Sequence, residues 1–262
     1  MNLKQLTSIE DLQFDGTNLD ISGCKYKSFK SLDCSEESLG LLNLTKLNVS
    51  KCTYLAHIYC KENSLKELKV NGCTSLAYLN CSYNNLTKLN VSKCASLNDL
   101  YCYNNRLTNI NVCGCTYLTR LDCYNNNLTM LDVSECAFLI RLNCDSNVLK
   151  ELNAGGCISL ANLYCRHNHL TNINVSGCTG LTNLYCNNND LIELNVSECT
   201  SLTLLDCRNN NLSTDGLNAL FESLPSSNTD SLTFNSNIKI KDNPGQNTCN
   251  KDIARDKGWE VS

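Results

Sequence analysis

The chain of 262 residues is poor in several residue types: two prolines, two methionines, three histidines and a single tryptophan. With so little proline and only 18% charged residues, it is not the charge-rich composition of a disordered chain. It lacks a basic excess: 22 Lys and Arg face 26 Asp and Glu, a net charge of −4. No positive field draws phosphate, which argues against a general nucleic-acid or anionic-membrane binder. No apolar run approaches the roughly 18 residues of a membrane-spanning segment. The opening residues MNLKQLTSIEDLQF carry no apolar stretch of the export-signal kind, although a chain trimmed of its signal would read the same. No phosphate loop, GxSxG or dinucleotide fingerprint occurs, so the motifs offer no catalytic centre.

What is abundant is cysteine, 20 residues of 262. One series runs Cys60, Cys81, Cys102, Cys123, Cys144, Cys165, Cys186, Cys207, and a second runs Cys52, Cys73, Cys94, Cys115, Cys136, Cys157, Cys178, Cys199, both in steps of 21. Cys34 and Cys24 extend the two series across small insertions; only Cys113 and Cys249 stand outside. A fixed period of this length marks a solenoid. The unit LAYLNCSYNNLTKLNVSKCAS, residues 76–96, contains two segments of alternating apolar residues. Each reads as a short strand with one buried face. Leu76, Leu79, Cys81, Leu86, Leu89, Val91 and Cys94 point inward in this reading. One coil cannot close a core with them, but stacked coils cover each other's apolar faces.

The LxxLxC segment, the Asn three places later and the second LxxLxV segment resemble the leucine-rich repeats of the 21-residue, nested Irreko type in its cysteine-bearing variant. Seven complete units span Leu55 to Ser201 and an eighth begins at Leu202. The resemblance implies a bacterial, often surface-associated protein, secreted or at the cell surface, with a cytoplasmic location as the alternative. The fold expected is mainly β: a right-handed, weakly curved leucine-rich repeat solenoid with two short parallel strands per coil. Three regions follow. Residues 1–54 are degenerate repeats forming an N-terminal cap, 55–212 the regular repeats, and 213–262 a C-terminal cap.

Both ends of an open stack need covering. At the start, Leu12, Phe14, Leu19 and Ile21 read as shortened strands, and FKSLDC and LTKLNVSKC as one coil with five extra residues. At the end, Thr214 or Asp215 is expected to cap a helix carrying Leu217, Leu220, Phe221 and Leu224, stopped by Pro225. SLTF and IKI follow as strands, then a short helix ending at Gly258, then the strand WEV. Trp259 is expected to anchor this cap. Within the repeats, Asn63, Asn84, Asn105, Asn126, Asn147, Asn168, Asn189 and Asn210 form a ladder suited to satisfying the backbone at a tight turn. Ser50, Ser92, Ser134, Ser176 and Ser197 do similar work at the other corner.

Packing is the expected role of the eighteen ladder cysteines. In-register side chains of a parallel ladder point the same way and fit disulfide geometry poorly. No CxxC occurs, which argues against zinc; free cysteine behaves as a small buried apolar group. Cys113, at a corner usually held by Ser, is the best candidate for a reactive thiol, and Cys249 is left open. His167 and His169 have no carboxylate at metal-ligand spacing, and Asn187–Asp190 lacks the alternating acids of a calcium loop. No metal or cofactor is expected.

The outward positions differ between the two strands of a coil. Around the first-series cysteines, 24 outward positions hold 7 of the 11 Tyr and 4 of the 6 Arg, with one Lys. The equivalent positions of the second strands hold no aromatic residue. Tyr and Arg are enriched at binding hot spots. The expectation is a non-enzymatic scaffold that binds a protein through the solvent face of the first strands. The candidate residues are Tyr59, Tyr78, Asp99, Tyr101, Tyr103, Arg120, Asp122, Tyr124, Arg141, Tyr164, Arg166 and Tyr185. The alternatives are a surface glycan as ligand, or a structural spacer whose tyrosine stacks (Tyr103–Tyr124, Tyr164–Tyr185) and ion pairs (Asp99–Arg120, Asp145–Arg166) merely support the sheet.

Overall fold

A computed structural model describes residues 13–25, 27–35, 43–226 and 236–262. The chain divides into two compact units, Met1–Leu128 and Thr129–Ser262, both built of the same coil. The coils place a three-residue first strand on one side and, in the earlier coils, a three-residue second strand on the other. In the N-terminal unit the first strands are Ser31–Asp33, His57–Tyr59, Tyr78–Asn80, Asp99–Tyr101 and Arg120–Asp122, paired in parallel and in register. The second strands begin with Gln13–Phe14 antiparallel to Asn18–Asp20, followed in parallel by Lys46–Asn48 and Glu67–Lys69. Lys88–Asn90 and Asn109–Asn111 continue them. In the C-terminal unit Arg141–Asn143, Asn162–Tyr164, Asn183–Tyr185, Leu204–Asp206, Ser236–Lys239 and Trp259–Val261 form the first-strand sheet. There the second strands shrink to Met130–Asp132 paired with Glu151–Asn153, and then to a single bridge between Asn153 and Asn174.

The interior follows from period-two alternation: the middle residue of each strand points in and its neighbours out. Leu76, Leu79, Cys81, Leu86, Leu89, Val91 and Cys94 are all buried, as expected. Eighteen cysteines are buried and unbridged. Their thiols also serve as weak donors. Cys73 Sγ donates to the Val49 carbonyl at 3.0 Å and Cys157 Sγ to that of Val133 at 3.2 Å, each one coil back. In the other series Cys165 Sγ reaches forward to the Tyr185 carbonyl at 3.4 Å. Burial pushes the thiols of Cys34, Cys52, Cys81 and Cys94 up to about 12.

In eight coils the turn after the first strand is left-handed without glycine. Glu62, Tyr83, Asn104, Asn125, Ser146, His167, Asn188 and Asn209 all have φ between 52° and 59°. Such backbone is costly for non-glycine residues and persists only where its surroundings fix it. The ladder asparagine does the fixing. Asn126 Nδ2 donates to the carbonyls of Cys102, Cys123 and Tyr124 at 3.1, 3.0 and 3.3 Å, and its Oδ1 accepts from Leu107 N at 2.9 Å. Each amide therefore ties its own turn to the coil before. At the other corner the work expected of the serines falls to Asn or Asp two residues earlier. Asn48 Oδ1 accepts from Ser50 N and Oγ at 3.1 and 2.8 Å, and Asp132 Oδ1 accepts from Ser134 N at 2.9 Å.

Among the described residues, helices occur only after the repeats. The first, α1, is Thr214–Ser223 and buries Leu217, Leu220 and Phe221. Its cap is Ser213, which accepts from Gly216 N at 3.1 Å, and not Thr214 or Asp215. The second, α2, is Asp252–Arg255. Trp259 is buried and its indole N–H donates to the Pro225 carbonyl at 2.8 Å, while Lys257 Nζ caps the Glu222 and Leu224 carbonyls at 2.5 and 3.0 Å. These bonds satisfy groups that the end of α1 leaves open. Leu19 and Ile21 are buried as expected, whereas Phe14 is exposed; Leu12 and the SLTF segment lie outside the described residues.

Candidate recognition face

In the N-terminal unit the register sets Tyr59 beside Asn80, Asn80 beside Tyr101, and Tyr78 beside Asp99. The rings meet diagonally: Tyr59 and Tyr78 have centroids 4.9 Å apart, and Tyr78 and Tyr101 5.4 Å. A second row lies past the ladder cysteines. Tyr103 and Tyr124 stack at 4.5 Å with their planes 7° apart, and Tyr83 meets Tyr103 edge-on at 5.5 Å. Tyr83 was not among the sequence candidates. It occupies the left-handed turn position, and its neighbours there are mostly polar, so nothing in the repeat pattern signals its contact.

Arg120 lies with its guanidinium carbon 5.0 Å from the Tyr101 centroid. Its Nε and Nη2 donate to Asp122 Oδ2 at 3.0 and 2.8 Å. This corrects the expected Asp99–Arg120 pair. Residues i and i+2 of one strand share a face, so Asp122 is as near as Asp99 and offers a fixed acceptor. Asp122 is also corrected as a solvent-facing contact: it is only 4% exposed and serves to hold Arg120. Burial raises the Asp99 carboxyl above its ordinary range, against the lowering effect of Arg120. Burial likewise raises Tyr78, Tyr101 and Tyr124, so their hydroxyls stay protonated and able to donate at neutral pH.

In the C-terminal unit Tyr164 and Tyr185 stack at 5.0 Å, 4° from parallel. Arg141 lies 4.5 Å over Tyr164, and Arg166 lies 5.5 and 5.6 Å from Tyr164 and Tyr185. The expected Asp145–Arg166 pair is present. Asp145 Oδ2 accepts from Arg166 Nε and Nη2 at 2.8 and 2.5 Å, and Oδ1 accepts from its backbone N at 2.6 Å. Asp145 is buried, so the pair is a charge-assisted clamp between coils and not a loose surface contact. Asp206 and Arg208 form a comparable fork at 2.8 and 2.6 Å that the sequence candidates omitted. Its signal was available in the Asp-x-Arg spacing across Cys207, which mirrors Arg120-x-Asp122.

Eleven of the twelve candidates are therefore half-buried on the first-strand faces, in two clusters, one per unit; Asp122 is the exception. The second-strand positions carry Lys, Glu, Asn and Ser instead. Among the described residues no three His, Cys, Asp or Glu side chains converge as metal ligands, and no helix is long and apolar enough to cross a membrane. Cys113 is exposed and Cys249 half-buried.

No protein-family profile and no curated protein matches the chain. Solved structures do. YopM of Yersinia pestis, described as a leucine-rich effector protein, is 25% identical, with a TM-score of 0.59 over 86% of this chain and 60% of its own. The leucine-rich repeat domain of APL1B is 18% identical, with a TM-score of 0.60 over 89% of this chain and 66% of its own. The ectodomain of the Arabidopsis thaliana receptor kinase GASSHO1/SCHENGEN3, solved with Casparian strip integrity factor 2, is 18% identical, with a TM-score of 0.51 over 94% of this chain and 41% of its own. The chain thus spans about two thirds or less of each of these proteins. The 21-residue coil, the buried cysteine columns, the asparagine ladder and these neighbours lead to one assignment: the chain has the leucine-rich repeat fold, a solenoid of 21-residue, cysteine-bearing coils.

Proposed function

We propose that the protein is a non-enzymatic scaffold that binds a protein partner through the tyrosine- and arginine-bearing faces of its first strands, outside the cell or at its surface. The observation that carries this reading is the asymmetry between the outer faces of the first and second segments of the coils. One outer face gathers tyrosine and arginine in half-exposed, mutually braced rows; the other gathers none. In the N-terminal unit both sets form paired strands, so propensity for strand does not produce the difference there. Rings held by neighbours lose little entropy on binding, and forked guanidiniums present fixed donors. The test replaces Tyr101, Tyr124 and Tyr185 together by Ala. Capture of a partner from the source organism's surface fraction is expected to be lost while the melting temperature moves by only a few degrees. Undiminished capture favours a spacer role, and a hit on a glycan array abolished by the same variant reassigns the face to carbohydrate.

A further inference from the structure

The two clusters differ in what already covers their rings. In the C-terminal unit both tyrosines lie under the chain's own guanidiniums. In the N-terminal unit, among the described residues, only Tyr101 does; no guanidinium covers Tyr59 or Tyr78. These rings are inclined 34° and 40° to their neighbours, so the row Tyr59–Tyr78–Tyr101 is a series of tilted slabs, with Arg120 over Tyr101 and the His57 ring 6.5 Å from Tyr78. Asp99, directly beside Tyr78 in register, makes no ion pair among the described residues, because Arg120 is held by Asp122. A half-buried carboxylate that feels Arg120 only at a distance thus sits next to this row.

We infer that this row receives a proline-rich, extended segment of a partner protein that carries a Lys or Arg beside its prolines. The inference rests on the recognition reading above and names what the N-terminal cluster takes. The spacing favours it. Neighbouring coils repeat at about 4.8 Å, so Tyr59 and Tyr101, two coils apart in one column, stand about 9.6 Å apart. A polyproline II helix rises about 3.1 Å per residue and repeats every three residues, about 9.3 Å. A chain in that conformation, laid along the stack, brings the same face to equivalent positions every second coil. A strand, repeating at about 6.6 Å, or an α-helix, at about 5.4 Å, falls out of step. The polyproline backbone has no internal hydrogen bonds, so its carbonyls are open to the tyrosine hydroxyls, and its stiffness limits the entropy lost on docking. The cation beside the prolines meets Asp99, in keeping with the net charge of −4.

The test uses the full chain and a displayed library of short random peptides, half with prolines fixed three residues apart and half with glycines in their place. The proline arm is expected to enrich peptides with Lys or Arg near the prolines. Tyr78→Ala and Tyr59→Ala are expected to weaken a selected peptide at least tenfold. Among the described residues Tyr59 contacts one ring only, and it serves as the check where Tyr78→Ala lowers the melting temperature. Asp99→Asn is expected to weaken it about tenfold, and to have no effect on the same peptide with its cation changed to Gln. Ile192→Ala, at an exposed position outside both tyrosine rows, leaves binding unchanged. Equal enrichment in both arms, or affinity indifferent to Tyr59 and Tyr78, overturns the inference. If that happens while partner capture still depends on the tyrosines, the recognition face stands and only its ligand class is wrong; capture indifferent to them overturns both.

Discussion

Tyr101 and Cys102 are adjacent in one chain, yet one belongs to an outer column that changes from coil to coil and the other to an inner column that does not. Outside, the positions before the ladder cysteine read Tyr59, Asn80, Tyr101, Asp122, Asn143, Tyr164, Tyr185, Asp206. Inside, every coil repeats cysteine. The difference is one of constraint. An inner side chain must fit the same residue above and below, so one solution is copied through the stack. An outer side chain answers to solvent or a ligand, and its identity is free to vary with the task.

The largest expected effect breaks the inner columns alone. The ordinary thiol value is 9.0, and burial holds Cys73 and Cys178 near 11 and Cys157 and Cys199 near 12. The raised value means that the neutral thiol is favoured in the fold. Stability is complete below pH 9 and falls as pH rises toward the folded value, because only the unfolded chain releases protons there. At pH 10 each such thiol withdraws on the order of 1 kcal/mol, and a dozen together rival the 5–15 kcal/mol that typically holds a domain. Far-UV circular dichroism along an alkaline titration is therefore expected to show cooperative, reversible unfolding near pH 10. Native structure at pH 11 would contradict the account.

A smaller effect is expected at the turns. Asn126→Ala removes one acceptor and three donor contacts from buried backbone. The expected cost is about 3 kcal/mol, read from urea unfolding. A change below about 1 kcal/mol would mean that the turn holds itself. Smaller still is the outer column. Tyr78→Ala loses ring contacts to Tyr59 and Tyr101, and should cost about 1 kcal/mol. A cost as large as that of the asparagine change would make the tyrosines part of the support and weaken the recognition reading.

The period, the inner columns and the asparagine ladder were legible in the sequence because each is written eight times over. The stacking of Tyr103 on Tyr124 and of Tyr164 on Tyr185 was legible for a related reason: identical outward residues on neighbouring coils must meet. Single-copy choices were not. Arg120 has two carboxylates in reach, and side-chain rotamer, which the period does not encode, selects Asp122 over Asp99. Tyr83 reaches Tyr103 from a turn whose direction depends on a left-handed residue. At the serine corner the pattern correctly marked a turn but named the wrong oxygen, since Asn, Asp and Ser all favour such sites. The cap on α1 slipped by one residue for the same reason: Ser213, Thr214 and Asp215 are all competent caps, and only the helix's entry geometry decides.

Thiol labelling tests the central separation of inside from outside most directly. A membrane-impermeant maleimide applied to the native protein at neutral pH should modify Cys113 quickly and Cys249 slowly, leaving the eighteen buried thiols untouched until denaturant is added. Rapid modification of many cysteines in the folded protein, or fewer than twenty reactive thiols after denaturation without reductant, would contradict the account.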